Sequence, residues 1–229
     1  MVTVHSISEL ENLLDGIDAV IFDLDDTLYS EKDYVRSGYR KIGALFPEIT
    51  DLEEKLWAVF LRGGKAIDEV FEAEGLAEEK DKALHAYRFQ EPDICLYPGV
   101  SEMLERLHRT HKIGIITDGR PEGQRAKLKA LGLTADEIII TDELGGIEYR
   151  KPNVAAFVLM QQRMGVPFEK MVYIGDNPNK DFIAPEKLGM KSLWFNNPDG
   201  IYSGRNEMER ESDLYGTTAS HDAILPMLS

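Results

Sequence analysis

Three carboxylates stand within four residues, at Asp23, Asp25 and Asp26, directly after the apolar run Ala19-Val20-Ile21-Phe22 and before Thr27 and Leu28. Two like charges about 4 Å apart repel by roughly 1 kcal/mol in bulk water and about 4 kcal/mol at a protein-surface dielectric. Acids gathered at the end of an apolar run therefore call for a positive partner, and a hard cation bound through oxygen fits them best. The run before them is short and rich in β-branched and aromatic residues, which reads as a strand buried on both faces of a parallel sheet.

Other apolar runs end in the same way. Lys112–Ile116 leads to Thr117-Asp118-Gly119, Glu137–Ile140 to Thr141-Asp142, and Met171–Gly175 to Asp176, with Asp181 five residues further on. Taken singly, each is an ordinary turn or helix cap. Taken together they line the carboxyl edge of one sheet, where open parallel sheets bind ligands. Competing motifs fail on the residues. A calcium loop starting at Asp23 would place Leu28 at its glycine and Tyr34 at its final glutamate. Gly-x-x-x-x-Gly-Lys and Gly-x-Ser-x-Gly are both absent. His108 and His111 fall near a helix end, where cations suit the dipole, and do not make a zinc site.

The elements that must position these residues follow from periodicity. After the first strand, Tyr29 to Cys95 shows helical patterns only, at about Glu31–Phe46, Asp51–Leu61, Lys65–Glu74 and Ala77–Phe89, broken at Pro47, Gly63-Gly64 and Gly75. From Tyr97-Pro98-Gly99 onward, strands and helices alternate. The helices are Val100–His108, Glu122–Leu131, Val154–Met164 and Pro178–Leu188, and the strands are Lys112–Thr117, Glu137–Thr141, Met171–Asp176 and Ser192–Phe195. Regular alternation means right-handed βαβ units around a parallel sheet. A capping box at Ser8 and Glu11 predicts a short helix over Ser8–Leu14, and Ala223–Leu225 is expected to pack on the sheet edge. The expected fold is α/β: a parallel-sheet core, residues 1–29 and 96–229, with a small all-α insertion, residues 30–95, after the first strand. The crossings at Tyr29–Ser30 and Tyr97–Gly99 are its natural hinges.

With 26 Lys and Arg against 41 Asp and Glu, the net charge is −15. This argues against nucleic acid or an anionic membrane as a partner, while a small anion remains possible where a cation focuses the field. The single cysteine, Cys95, excludes an internal disulfide. The N-terminus lacks the basic and apolar regions of a signal peptide. No apolar run approaches the ~18 residues of a membrane span. A cytoplasmic protein is expected, with its oligomeric state left open.

Asp23-Leu24-Asp25-Asp26-Thr27-Leu28 after an apolar strand resembles the first motif of the haloacid dehalogenase superfamily. Thr117 resembles its second motif, Lys151 in Tyr149-Arg150-Lys151-Pro152 its third, and Gly175-Asp176-Asn177-Pro178-Asn179-Lys180-Asp181 its fourth. The resemblance implies that Asp23 is a nucleophile forming an aspartyl-phosphate and that Asp25 is the general acid–base. It implies Mg2+ held by Asp23, the backbone carbonyl of Asp25 and Asp176, supported by Asp181 directly or through water, and an all-oxygen donor set favours magnesium over zinc. Thr117, the N–H groups of Asp118 and Gly119, and Lys151 would hold the phosphoryl oxygens. Asp26 is expected to be structural. The halide-releasing members lack an aspartate two residues after the nucleophile, so Asp25 favours phosphoryl chemistry.

The same resemblance implies a Rossmann-like three-layer core and makes residues 30–95 a cap domain that closes over the site. Arg120, Arg36 and Arg40 are candidate substrate contacts, with ordinary surface cations as the competing reading for the two cap arginines. The expected substrate is a small phosphorylated metabolite of the sugar phosphate, phosphoglycolate or nucleotide class. A phosphomutase or phosphotransferase using the same aspartyl-phosphate, and a non-catalytic phosphate-ligand-binding protein, are the alternatives.

Overall fold

The computed structural model describes residues 2–3, 14–195, 197, 199–201 and 215–218. Its strands form one seven-stranded parallel sheet: β1 (Val2–Thr3), β2 (Ala19–Phe22), β3 (Lys112–Thr117), β4 (Glu137–Ile140), β5 (Met171–Gly175), β6 (Lys191–Phe195) and β7 (Tyr215–Thr218), in the spatial order β1-β7-β6-β5-β2-β3-β4. The acid-bearing strand is central. Phe22 is in register with Ile115 of β3 on one side and Ile174 of β5 on the other. After β2 the chain builds outward through β3 and β4, then crosses back to β5 on the opposite side. The order reverses at β2, which opens a crevice beyond its carboxyl end.

The period-2 alternation of β2 distributes its side chains to two cores. Val20 and Phe22 join Ile113, Ile115, Val172 and Ile174 against α5 (Val100–Leu107) and α6 (Pro121–Ala130). Ala19 and Ile21 join Ile116, Ile139 and Tyr173 against α7 (Ala155–Met164) and α8 (Ile183–Leu188). Helices on both faces make three layers. Because every residue of β2 is buried, the strand is a rigid base for Asp23. Truncating Phe22, 1% exposed, to alanine is expected to cost about 3–5 kcal/mol.

The insertion after β2 folds as α1 (Glu31–Leu45), α2 (Leu52–Leu61), α3 (Ala66–Ala73) and α4 (Lys80–Arg88). Ser30 caps α1, its Oγ accepting the Asp33 N–H at 3.3 Å. These helices bury their own cluster, including Val35, Tyr39, Ile42, Leu56, Val70 and Phe71, separate from the two sheet cores. The two crossings run side by side: Tyr29 bridges Leu96, and the Tyr97 N–H donates to the Leu28 carbonyl at 3.0 Å.

Three boundaries differ from the sequence reading. Strand β4 stops at Ile140, and Thr141–Leu144 is a 3₁₀ turn. Residues Ala77–Glu79 are also 3₁₀, so α4 starts at Lys80. Helix α8 starts at Ile183, not Pro178, because the intervening residues close on themselves: the Asp181 carboxylate accepts the Asn177 N–H at 2.9 Å and the Asn177 side chain accepts the Asn179 N–H at 3.1 Å. Strands β1 and β7 were not anticipated. The Ser8–Leu14 helix, apart from Leu14, and the Ala223–Leu225 element lie outside the described residues. Among the described residues, no helix is long and apolar enough to cross a membrane.

Candidate active site

Asp23 follows β2 directly, and its N–H donates to the Ile174 carbonyl at 2.8 Å, continuing the ladder one step past the strand. Its carboxylate is 2% exposed. Lys151 reaches it from the loop before α7, with Nζ 2.8 Å from Asp23 Oδ1, 2.9 Å from Asp181 Oδ1 and 2.8 Å from the Tyr173 hydroxyl. These three oxygens surround the ammonium group, and Asp181 Oδ1, although in ion-pair contact, has no hydrogen-bond partner among the described residues. Burial alone would lower the Lys151 pKa, but Asp181 and Asp23 outweigh it and the group stays charged.

Asp118, after β3, organises the neighbouring loops. Its Oδ1 accepts the Lys151 backbone N–H at 3.1 Å and the Thr141 hydroxyl at 2.9 Å, while Oδ2 faces Lys180 at 3.3 Å. Burial pushes its carboxyl up, but Lys151 and Lys180 more than offset that and hold it below the usual range. Thr117 is fully buried, and its hydroxyl has no hydrogen-bond partner among the described residues. A buried, unanswered hydroxyl beside these charges has an unused position for a ligand oxygen. Gly119 has φ +136°, and a Cβ there would stand 2.6 Å from Gln124 Nε2. Glycine thus admits the Gln124 amide, which donates to the Asp118 carbonyl at 2.6 Å and to Asp25 Oδ2 at 3.1 Å.

Asp23, Asp176 and Asp181 each offer a buried carboxylate oxygen, all within 4.8 Å of one another. Burial, opposed by Lys151 but supported by Asp181, raises the Asp23 pKa to about 6. Burial and the charges of Asp181, Asp23 and Asp26 push Asp176 up to about 9. Lys151 answers two of these three carboxylates, which leaves the cluster short of positive charge, and its donors are all oxygen. The residues fit a magnesium ion.

The remaining two acids of the opening cluster separate clearly. Asp26 is 1% exposed and has φ +53°; its carboxylate accepts the Glu31 N–H at 2.9 Å and the Ile201 N–H at 2.7 Å. Asn197 Nδ2 donates to the Asp26 carbonyl at 3.0 Å and to the Tyr97 hydroxyl at 2.7 Å, so one side chain ties both crossings together. Asp25 turns the other way. Lys127 Nζ lies 2.7 Å from its Oδ1, and the Tyr29 hydroxyl donates to the same oxygen. Burial pushes Asp25 up, but Lys127 and these hydrogen bonds prevail and hold it below the usual carboxylate range.

A cavity of about 560 Å³ stands over these groups, lined by Asp23, Asp25, Asp118, Gly119, Lys151, Asp176 and Lys180 from the sheet side and by Glu31, Tyr34, Tyr87 and Arg88 from the helical insertion. Arg120 lines it as expected. Arg36 and Arg40 do not, which corrects the sequence reading: Arg36 pairs with Glu53 at 3.2 Å and lies over the Trp57 ring, and Arg40 pairs with Asp93 at 2.9 Å. Both guanidinium groups are satisfied on the insertion's own surface.

Several site residues escaped the sequence reading. Lys127 and Gln124 sit three apart on α6 beside buried Leu128, and a polar pair on an apolar helical stripe was the available signal. Lys180 lies inside the fourth motif without having been given a part. Arg88, Glu31 and Tyr29 gave no local sign.

A family model described as haloacid dehalogenase-like hydrolase matches residues 17–189. The chain belongs to that family. Among curated relatives of this hydrolase, a glyceraldehyde 3-phosphate phosphatase of Methanocaldococcus jannaschii is 30% identical over 193 residues, covering 76% of this chain and 82% of the relative. A pyrimidine 5′-nucleotidase of Escherichia coli is 26% identical over 206 residues, covering 80% and 90%. Among solved structures, a haloacid dehalogenase-superfamily hydrolase from Geobacter sulfurreducens shares the fold with TM-score 0.68 at 18% identity, over 93% of this chain and 97% of that one.

Proposed function

We propose that this hydrolase is a magnesium-dependent phosphomonoesterase that releases phosphate from a small phosphorylated metabolite through an aspartyl-phosphate on Asp23. The observation that carries the reading is the buried Asp23 carboxylate at the base of the cavity, 2.8 Å from Lys151, with a second acid, Asp25, two residues on. The relatives' action on glyceraldehyde 3-phosphate and on pyrimidine nucleotides supports the substrate class.

In the first half-reaction an Asp23 carboxylate oxygen attacks phosphorus, the ester P–O bond breaks, and the departing oxygen takes a proton from Asp25. In the second, Asp25 removes a proton from water as that water attacks phosphorus. The bond to Asp23 breaks and inorganic phosphate leaves. Paired with Lys127, Asp25 rests as a carboxylate, so it serves as acid only after leaving that ion pair and taking up a proton. Thr117, the N–H groups of Asp118 and Gly119, and Lys151 hold the phosphoryl oxygens as charge spreads onto them. Lys180, 3.3 Å from Asp118, adds a second cation on the same side. Asp23, the Asp25 carbonyl, Asp176 and, directly or through water, Asp181 would hold Mg2+, which when bound cancels the repulsion between carboxylate and phosphate.

In this reading residues 30–95 are a cap that excludes water over a core of residues 1–29 and 96–229. The test is phosphate release from a panel of phosphorylated metabolites, with Mg2+ and with a chelator. Release that needs the metal is expected; release from no member of the panel, or release indifferent to the chelator, contradicts the reading.

A further inference from the structure

The cavity over Asp23 is lined by two arginines that pair with no carboxylate among the described residues. Arg88, in the last turn of α4, lines it from the insertion, and its Nε is buried without a hydrogen-bond partner among the described residues. Arg120, just before α6, lines it from the opposite side and pairs with no carboxylate among the described residues. Six of the other described arginines behave differently, although Arg109 likewise pairs with no acid among the described residues. Those at 36, 40, 62, 125, 150 and 163 each pair with an acid. In a chain with net charge −15, carboxylate partners are abundant, and leaving a buried guanidinium N–H unanswered is costly. Arg88, with its buried and unanswered Nε, and the exposed Arg120 lining the same cavity are placed to meet an anion brought by a ligand.

Resting on the phosphomonoesterase reading, we propose that Arg88 and Arg120 recognise a carboxylate on the substrate, at the end away from the phosphoryl group that Asp23 receives. A guanidinium presents planar paired N–H donors that match a carboxylate. Glu31 and Glu122 line the same cavity, so a singly charged carboxylate is opposed less than a doubly charged second phosphate. The aromatic lining does not favour a nucleobase. Lys127 Nζ already occupies a face of Tyr34, 4.3 Å from the ring centre, Tyr87 meets Tyr34 edge-on, and Phe89 packs against His85 with centroids 4.5 Å apart.

The test compares 3-phosphoglycerate with glyceraldehyde 3-phosphate, which differ only in carrying a carboxylate or an aldehyde at that end. The wild-type chain is expected to favour the carboxylate ester by about tenfold or more in kcat/KM, in line with a charge-assisted hydrogen bond. Arg88→Met, close in length and without the N–H groups, is expected to collapse that ratio, mainly by raising KM for 3-phosphoglycerate. Arg88→Lys should retain part of it, and Arg120→Met should narrow it independently. Thermal melting of each variant separates a lost contact from a lost fold. A wild-type ratio near one, or a ratio that survives both methionine variants in folded protein, overturns the assignment. Hydrolysis of neither ester, nor of any other phosphomonoester, overturns the parent reading and this one with it.

Discussion

Asp25 and Lys127, 102 residues apart in the chain, form an ion pair of 2.7 Å with their side chains 18% and 6% exposed. Burial would lower the Lys127 pKa, but Asp25 and Glu31 raise it. Both partners are therefore charged at neutral pH. Removing one leaves the other buried and unanswered, an effect typically worth several kcal/mol. Lys127→Met is expected to lower kcat by about ten- to a hundredfold and to destabilise the fold. Asp25→Asn should lower kcat by about 10²–10⁴-fold, the range for a general acid–base. If Lys127 acts through Asp25, the double variant will be no slower than Asp25→Asn alone, as steady-state kinetics on the four proteins would show; fully multiplicative losses would mean that Lys127 acts independently.

Gly175 ends β5 where the backbone passes closest to Asp181. A Cβ added there would lie 2.6 Å from Asp181 Oδ2 and 2.9 Å from its Cγ. Asp181 is fully buried and held by Lys151 and the Asn177 N–H, so it has nowhere to retreat. Gly175→Ala is expected to weaken Mg2+ binding and to reduce turnover by at least about tenfold, given how steeply catalysis depends on sub-ångström placement. A magnesium titration of activity checks it, and unchanged half-saturation and rate would show that Asp181 has no part in the metal site.

Much of this site could be read from the chain because its residues stand at strand ends. A strand end is marked locally by an apolar run giving way to Asp, Thr or Gly, and a parallel sheet then brings Asp23, Thr117, Asp118 and Asp176 to one edge without further information. What the chain did not reveal depends on tertiary contact. Lys127 stands in the last turn of α6, where its place beside Leu128 is its one local mark and its partner emerges only when α6 packs beside β2. Arg36 and Arg40 carry no local mark of their partners, which the packing of α1 against α2 and the position of Asp93 supply. Two-residue β1 carries too few side chains for any periodicity, and the late start of α8 depends on side-chain-to-backbone bonds that compete with a helix.

The buried carboxylate cluster makes stability depend on pH in an unusual direction. Asp176, at about 9, and Asp23, at about 6, have folded pKa values above the ordinary carboxylate range. Without metal, the folded chain then binds more protons than the unfolded chain between about pH 4 and 9, so these two groups lower stability as pH rises through that window. Asp25 and Asp118, held low, act oppositely, with their contribution present at neutral pH and lost on acidification. Bound Mg2+ cancels the repulsion at Asp23 and Asp176. Melting curves with MgCl2 and with EDTA should show a magnesium increment in Tm that grows from pH 5 to pH 8, at about 2–4 °C per kcal/mol for a chain of this size. An increment independent of pH would mean that the ion does not bind at these carboxylates.

The central claim is that Asp23 takes the phosphoryl group itself. Asp23→Asn keeps the size of the side chain and removes its nucleophilic charge. Measured against the wild type for Mg2+-dependent phosphate release, on whichever phosphomonoester the wild type turns over best, folded Asp23→Asn is expected to show no turnover above background. Turnover in that variant within tenfold of wild type would contradict the nucleophile assignment and the mechanism built on it.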